Sequence, residues 1–128
     1  MTVTLTEAQL EFVRARHLAT LTTLRADGTP HVVPVAFTWD AGRGIARVTT
    51  HRGSVKARNV ADPGARAALC QVEGFRWLTI EGTAQVSADD GELAAAVTAY
   101  ADRYRVLEPN PERVVLLLTA DRVMGSVR

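Results

Sequence analysis

The spacing of apolar residues changes three times along this chain. Near the start, Thr6 followed by Gln9 is a capping-box pattern, and Leu10, Val13 and His17 continue one apolar face, which predicts a helix over residues 7–15. The period then drops to two. "HLATLTTL" (17–24) and "HVVPVAFTW" (31–39) read as strands that turn back on each other at the Asp27-Gly28 pair. Pro34 has no N–H to give a ladder, so the second strand belongs at an edge or a bulge, with its backbone open on one side. "DAGRG" turns into the strand "IARVTT" (45–50), "SVKARNV" is a helical turn or two with Ser54 as N-cap, and "ADPG" stops it.

Two more strands, "ARAALCQV" and "RWLTIEGTAQV", join at "EGF". Helical spacing returns once, in Leu93, Ala96, Val97, Tyr100 and Tyr104 behind a cap at Asp89 or Asp90, and this stripe is expected to be core. "LEPNPE" is a loop, and "RVVLLLTADRVMGSV" supplies one or two closing strands. Six or seven strands joined mostly by tight turns predict a mainly β protein with short helices, a small antiparallel barrel rather than a doubly wound sheet. At 128 residues, without linker or repeat, residues 1–128 are expected to form one domain.

Composition narrows the partners. A formal charge of +1 provides no general field for nucleic acid or an anionic membrane, so any anion must be held locally. No run of eighteen apolar residues and no basic-then-apolar leader occurs, which predicts a cytoplasmic protein. Cys70 is alone, so no internal disulfide forms, and it reads as a small strand residue. His17, His31 and His51 are isolated, which argues against a metal. There is no dinucleotide fingerprint and no P-loop, and Ser54 and Lys56, two apart on a helical turn, do not face each other as a nucleophile pair would.

The remaining signal is "TTHRGSVKARNV". It holds Lys56, the single lysine of a chain with fourteen arginines. Thr49 and Thr50 end a strand, Arg52 and Gly53 turn, and Ser54 opens a helix that carries Lys56. Hydroxyls, two cations and free N–H groups there form a phosphate cradle or, equally, a solvated charged turn.

Over nearly its whole length the chain resembles the flavin and deazaflavin split-barrel superfamily that includes pyridoxamine-phosphate oxidases. The resemblance rests on "LATLTTLRADGTPHVVPVAFTWD", "RVTTHRGSVKARNVADPGARAAL" and "WLTIEGTAQV". It is strongest to the actinobacterial members that use the 8-hydroxy-5-deazaflavin coenzyme F-420, and among them to the small biliverdin-reductase-like group, through "RARHLA", "ARVTT", "RWLTIEG" and "YADRYR…PNPERVV". The family's R-x-V-L-L-K strand is replaced here by "HVVPVAFTW", which shifts weight from FMN, the alternative coenzyme, toward the deazaflavin.

The resemblance implies a homodimeric split antiparallel β-barrel with a coenzyme groove at each end of the interface. It places the coenzyme phosphate on Ser54 and Lys56 with Thr49, Thr50, Arg52 and Asn59 beside them, and the ring against the backbone of Val33, Pro34 and Val35. Trp77 either packs on the ring or sits in the core, and Gln71 and Arg76 are ring neighbours or surface residues. The implied activity is hydride transfer from reduced coenzyme to a small conjugated acceptor such as biliverdin, whose propionates suit arginine; no residue declares itself a general acid. A non-catalytic coenzyme- or haem-binding barrel, with His31 or His51 as axial ligand, is the alternative of another class.

Overall fold

The computed structural model describes residues 2–128. In chain order it contains α1 (Glu7–Arg14), β1 (Ala19–Leu24), β2 (Pro30–Val35), β3 (Thr38–Asp40), β4 (Ile45–His51), α2 (Val55–Asn59), β5 (Arg66–Glu73), β6 (Arg76–Ser87), α3 (Asp90–Arg103) and β7 (Arg113–Gly125). The capping box of α1 forms as its sequence dictates: the Gln9 amide N–H donates to Thr6 Oγ1 at 3.2 Å, and Gln9 Oε1 accepts from the Thr6 N–H at 2.9 Å. The chain leaves α1 at Ala15 in an extended conformation, so His17 lies beyond the helix instead of continuing its face.

The seven strands form one antiparallel sheet in the order β2-β1-β5-β6-β7-β4-β3. Its two edge strands are neighbours in sequence, joined only by Ala36 and Phe37. A flat sheet would hold β2 and β3 five strands apart, so the sheet must curl until its edges approach. Leu21, Val35, Val48, Leu69, Ile80, Leu116 and Leu118 share one interior with Phe12 and Val13 of α1, and Trp39 of β3 packs against it. The result is a barrel left open between β2 and β3.

"HVVPVAFTW", expected as one strand, is therefore two, on opposite edges. Phe37, 1% exposed, turns into the interior at the break, and its carbonyl accepts from Arg103 in place of a strand neighbour. Pro34 sits on an edge strand as its missing N–H requires, opposite Thr20.

The closing segment is one long strand, β7, which pairs with β4 through its first half and with β6 over most of its length. Its register on β6 slips by one residue at Glu81/Gly82. A Cβ on Gly82 would stand 1.9 Å from the Thr119 carbonyl oxygen, so the crossing at this bulge requires glycine. The α3 stripe is less deeply set than its spacing suggests. Ala96 is buried with Ile45, Val115 and Leu117, and Leu93 packs against them, but Val97, Tyr100 and Tyr104 keep part of their surface because α3 lies on the outside of the barrel.

Candidate functional site

The end of β4 carries the sequence-predicted cradle. Thr49 and Thr50 pair with Val115 and Val114 of β7, and the turn at His51 closes with the Ser54 N–H donating to the His51 carbonyl at 3.0 Å. Ser54 Oγ caps α2 by accepting from the Ala57 N–H at 3.2 Å, and also accepts from the Thr50 hydroxyl at 3.0 Å. With both lone pairs engaged, its remaining capacity is its own proton, which makes it a donor. Because α2 has only five residues, side chains rather than a helix dipole must supply most of any pull on an anion. Lys56 is half-buried and meets no carboxylate among the described residues.

Two expected members of the cradle point elsewhere. Arg52 Nε bonds Glu112 Oε2 at 2.8 Å on the solvent side, and its Nη2 reaches the Pro111 carbonyl at 3.4 Å. Asn59 Nδ2 donates to Thr23 Oγ1 at 3.0 Å and thereby ties the end of α2 to β1. Opposite Thr23 stands His31, whose Nδ1 is buried without a partner. His51 is exposed at the far end of β4, and no cluster of three His, Cys, Asp or Glu side chains occurs among the described residues.

On β2, Val33 and Val35 face inward beside Leu21 and Ala19, whereas Pro34 is exposed on the outer face and one backbone edge of the strand has no strand neighbour. Trp77, 37% exposed, lies on that outer face directly across from Val72, so it is not a core tryptophan. Its backbone is fixed, with its carbonyl accepting from the Ser126 N–H at 3.1 Å and its N–H donating to Ser126 Oγ at 3.0 Å. This close approach needs Gly125, where a Cβ would meet the Trp77 carbonyl oxygen at 2.2 Å. The Arg76 guanidinium is exposed, 5.0 Å from the Phe12 ring centre.

Gln71 departs from the surface reading. It is 1% exposed, donates to the Phe12 carbonyl at 2.8 Å and accepts from Arg103 Nη2 at 2.8 Å. Arg103, which the sequence did not single out, also donates to the carbonyls of Ala15, His17 and Phe37, and stacks on the Phe37 and Tyr104 rings. It binds the end of α3, the α1–β1 link and the β2–β3 crossover into one unit. Burial pushes the Tyr104 phenol above its ordinary value, so it remains a donor to His17 O at 2.6 Å. A second unforeseen cluster joins Arg47, 7% exposed, to Asp40 at 2.9 Å and Glu92 at 3.2 Å. Burial there raises Asp40, but the hydrogen bond and charge of Arg47 and the Arg43 amide outweigh it and hold the carboxyl below its usual range. Both clusters serve the framework, and neither places a proton donor beside the cradle.

Other proteins share this chain's sequence or fold. The chain is 51% identical over 125 residues to the F420H(2)-dependent biliverdin reductase of Mycobacterium tuberculosis (strain CDC 1551 / Oshkosh), a match that covers 98% of this chain and 90% of that protein. Among solved structures, an F420 reductase superposes with a TM-score of 0.73 at 24% identity, covering 94% of this chain and 98% of the other. The haem storage protein HutZ of Vibrio cholerae does so with a TM-score of 0.77 at 18% identity, covering 98% and 97%. At those identities the two structures establish the shared fold. Residues 5–125, from the strap before α1 to the end of β7, match the pyridoxamine 5'-phosphate oxidase family, and the chain belongs to that family.

Proposed function

We propose that the protein is a coenzyme F-420-dependent reductase, which reduces biliverdin or a similar conjugated small molecule. The observation that carries this reading is the 51% identity, over 98% of the chain, to an F420H(2)-dependent biliverdin reductase. The residues present fit the coenzyme. Among the described residues Lys56 is a cation without a carboxylate partner, Ser54 has a free donor proton, and Thr50 orients that hydroxyl. A phosphate gripped there leaves the ring to lie along the unpaired edge at Val33, Pro34 and Val35.

When bound, the reduced deazaflavin supplies a hydride to the conjugated acceptor. The chain's own part is to hold the phosphate at Ser54 and Lys56, to keep β2 straight as a platform, and to shield the ring from water with apolar neighbours. In this reading the proton comes from solvent or a water held by an arginine.

A second copy of the chain completes the site in this reading. Val32, Pro34, Val72, Trp77 and Met124 form an exposed apolar stretch on the outer sheet face, with no helix over it. Homodimerisation would cover this stretch and bring the partner's residues to the edge of β2. The unpaired Cys70, half-buried on the same face, suits a reducing cytoplasm, and no helix is long and apolar enough to cross a membrane.

The test is anaerobic. Purified protein is titrated with the deazaflavin coenzyme, FMN and haemin, and biliverdin absorbance is then followed with each reduced coenzyme and with NADPH. Tight deazaflavin binding with biliverdin loss only in its presence is the expected result. Turnover with FMN alone would overturn the coenzyme assignment, and a Soret band with no turnover would replace the reductase by a haem-binding protein.

A further inference from the structure

Beyond the cradle, one groove of about 360 Å³ runs between the α1–β1 link, the β2–β3 crossover and the end of α3, lined by Arg16, His17, Leu18, Ala36, Tyr100, Tyr104 and Arg105. Both arginines are exposed, and neither meets a carboxylate among the described residues. Arg16 makes no hydrogen bond there, and Arg105 makes only a long one, 3.5 Å, to the Val106 carbonyl. Ten guanidinium N–H donors therefore stand almost unused at one groove.

The acceptors beneath are already taken. The His17 carbonyl accepts from the Tyr104 hydroxyl at 2.6 Å and from Arg103 Nη2 at 3.2 Å, and the Phe37 carbonyl accepts from Arg103 Nη1. His17 Nδ1 lies 2.9 Å from the Leu18 carbonyl, which only accepts, so that nitrogen carries a proton. No acidic side chain lines the groove. Its unsatisfied chemistry consists of donors and positive charge beside two tyrosine rings and Leu18.

Its position joins it to the proposed coenzyme platform. Ala36 directly follows Val35, and Leu18 is shared with a shallow depression lined by Ala19, Thr20, Pro34, Cys70 and Val72. A planar molecule stacked above the edge of β2 would reach the two guanidinium groups with substituents on its rim. We infer that Arg16 and Arg105 are the carboxylate anchor of the acceptor site, each pairing with one carboxylate on the rim of the conjugated acceptor. This rests on the reductase reading, which places the ring at Val33 to Val35. A guanidinium meets a carboxylate with two parallel hydrogen bonds, which fixes orientation as well as affinity.

The test uses biliverdin and its dimethyl ester as probes, with wild type, Arg16→Gln, Arg105→Gln, the double variant and Arg16→Lys. Binding of each tetrapyrrole is titrated by absorbance without coenzyme; coenzyme affinity, KM and kcat are then measured separately. Each single Gln variant should weaken biliverdin binding and raise KM about tenfold, and the double variant about a hundredfold, with coenzyme affinity and kcat unchanged. Arg16→Lys should recover part of the loss. The ester should bind wild type as weakly as biliverdin binds the double variant, and should ignore all the substitutions. Equal binding of diacid and ester by wild type, or unchanged biliverdin binding by a folded double variant, overturns the anchor. Should wild type bind no deazaflavin, the reductase reading falls, while the coenzyme-free titrations still decide whether Arg16 and Arg105 hold carboxylates.

Discussion

The two halves of the sheet are covered differently, and the difference is written in their burial. In β4 and β7, Ile45 to Val48 and Val114 to Leu118 are buried without interruption, because the barrel interior takes one face and α3 with its salt-bridged Arg47 takes the other. In β1 and through the middle of β5 and β6 burial alternates, and the outward positions include Thr20, Val72, Trp77 and Thr79. The first half carries its own cover; the second carries an apolar face with none. A sheet face holding Val72, half exposed, and Trp77 is costly to leave in water, which is why the proposed second copy is placed on this half. The proposed site divides along the same line, with the proposed phosphate cradle at the end of the covered strand β4 and the proposed ring platform on the bare edge strand β2.

The sharpest way to break this comparison is Val72→Asp. A charge placed in an apolar interface without a partner costs about 3–5 kcal/mol, so the variant should remain folded by circular dichroism but sediment as a monomer and lose coenzyme affinity. A wild-type protein that already sediments as a monomer at micromolar concentration while binding coenzyme would end the shared-site reading. On the covered half the matching change, Leu117→Ala, should cost about 2–5 kcal/mol of fold stability in urea unfolding, because its cavity lies between two packed layers. The same truncation at Val72 should leave the monomer nearly as stable.

A smaller effect is expected at Lys56→Ala, which should weaken coenzyme binding by roughly ten- to a hundredfold, equivalent to about 1.5–3 kcal/mol, with the unfolding midpoint unchanged. By contrast Arg52→Gln should change either property by less than about 1 kcal/mol, since its exposed pairing with Glu112 faces solvent. The smallest effect concerns pH. Burial raises the Tyr104 phenol above its unfolded value of 10.0, so the folded state holds that proton more tightly. Its contribution to stability is complete below pH 10 and is lost as pH rises through the higher folded value. Tyr104→Phe should flatten that alkaline decline in unfolding free energy measured between pH 9 and 11.

Much of the architecture could be read from local pattern. The capping box at Thr6, the Asp27-Gly28 turn, the edge strand marked by Pro34 and the cap at Ser54 are each decided by a few adjacent residues, and each stands where those residues put it. The segment "RVVLLLTADRVMGSV" was legible as one or two closing strands, and the structure makes it one, with Val114 to Leu118 buried between the barrel interior and α3. The break at Ala36-Phe37 was not legible, because an alternating run looks the same whether its two ends pair with one neighbour or with two at opposite edges. Nor was the role of Gln71: its buried bonds come from Phe12 and Arg103, far away in sequence on either side.

The sequence by itself determined the elements, the barrel class and the location of the one lysine beside a capped turn, because these depend on periodicity, capping and turn chemistry within a few residues. The tertiary structure decided which cations are free. Fourteen arginines look alike along the chain, yet Arg103 is spent on four neighbours, Arg47 on two carboxylates, and Arg66 is paired with Asp121, while Arg16 and Arg105 reach a common groove without a carboxylate among the described residues. A guanidinium's availability depends on what the fold brings within 4 Å of it, and except for Asp40 beside Arg47 those neighbours come from tens of residues away.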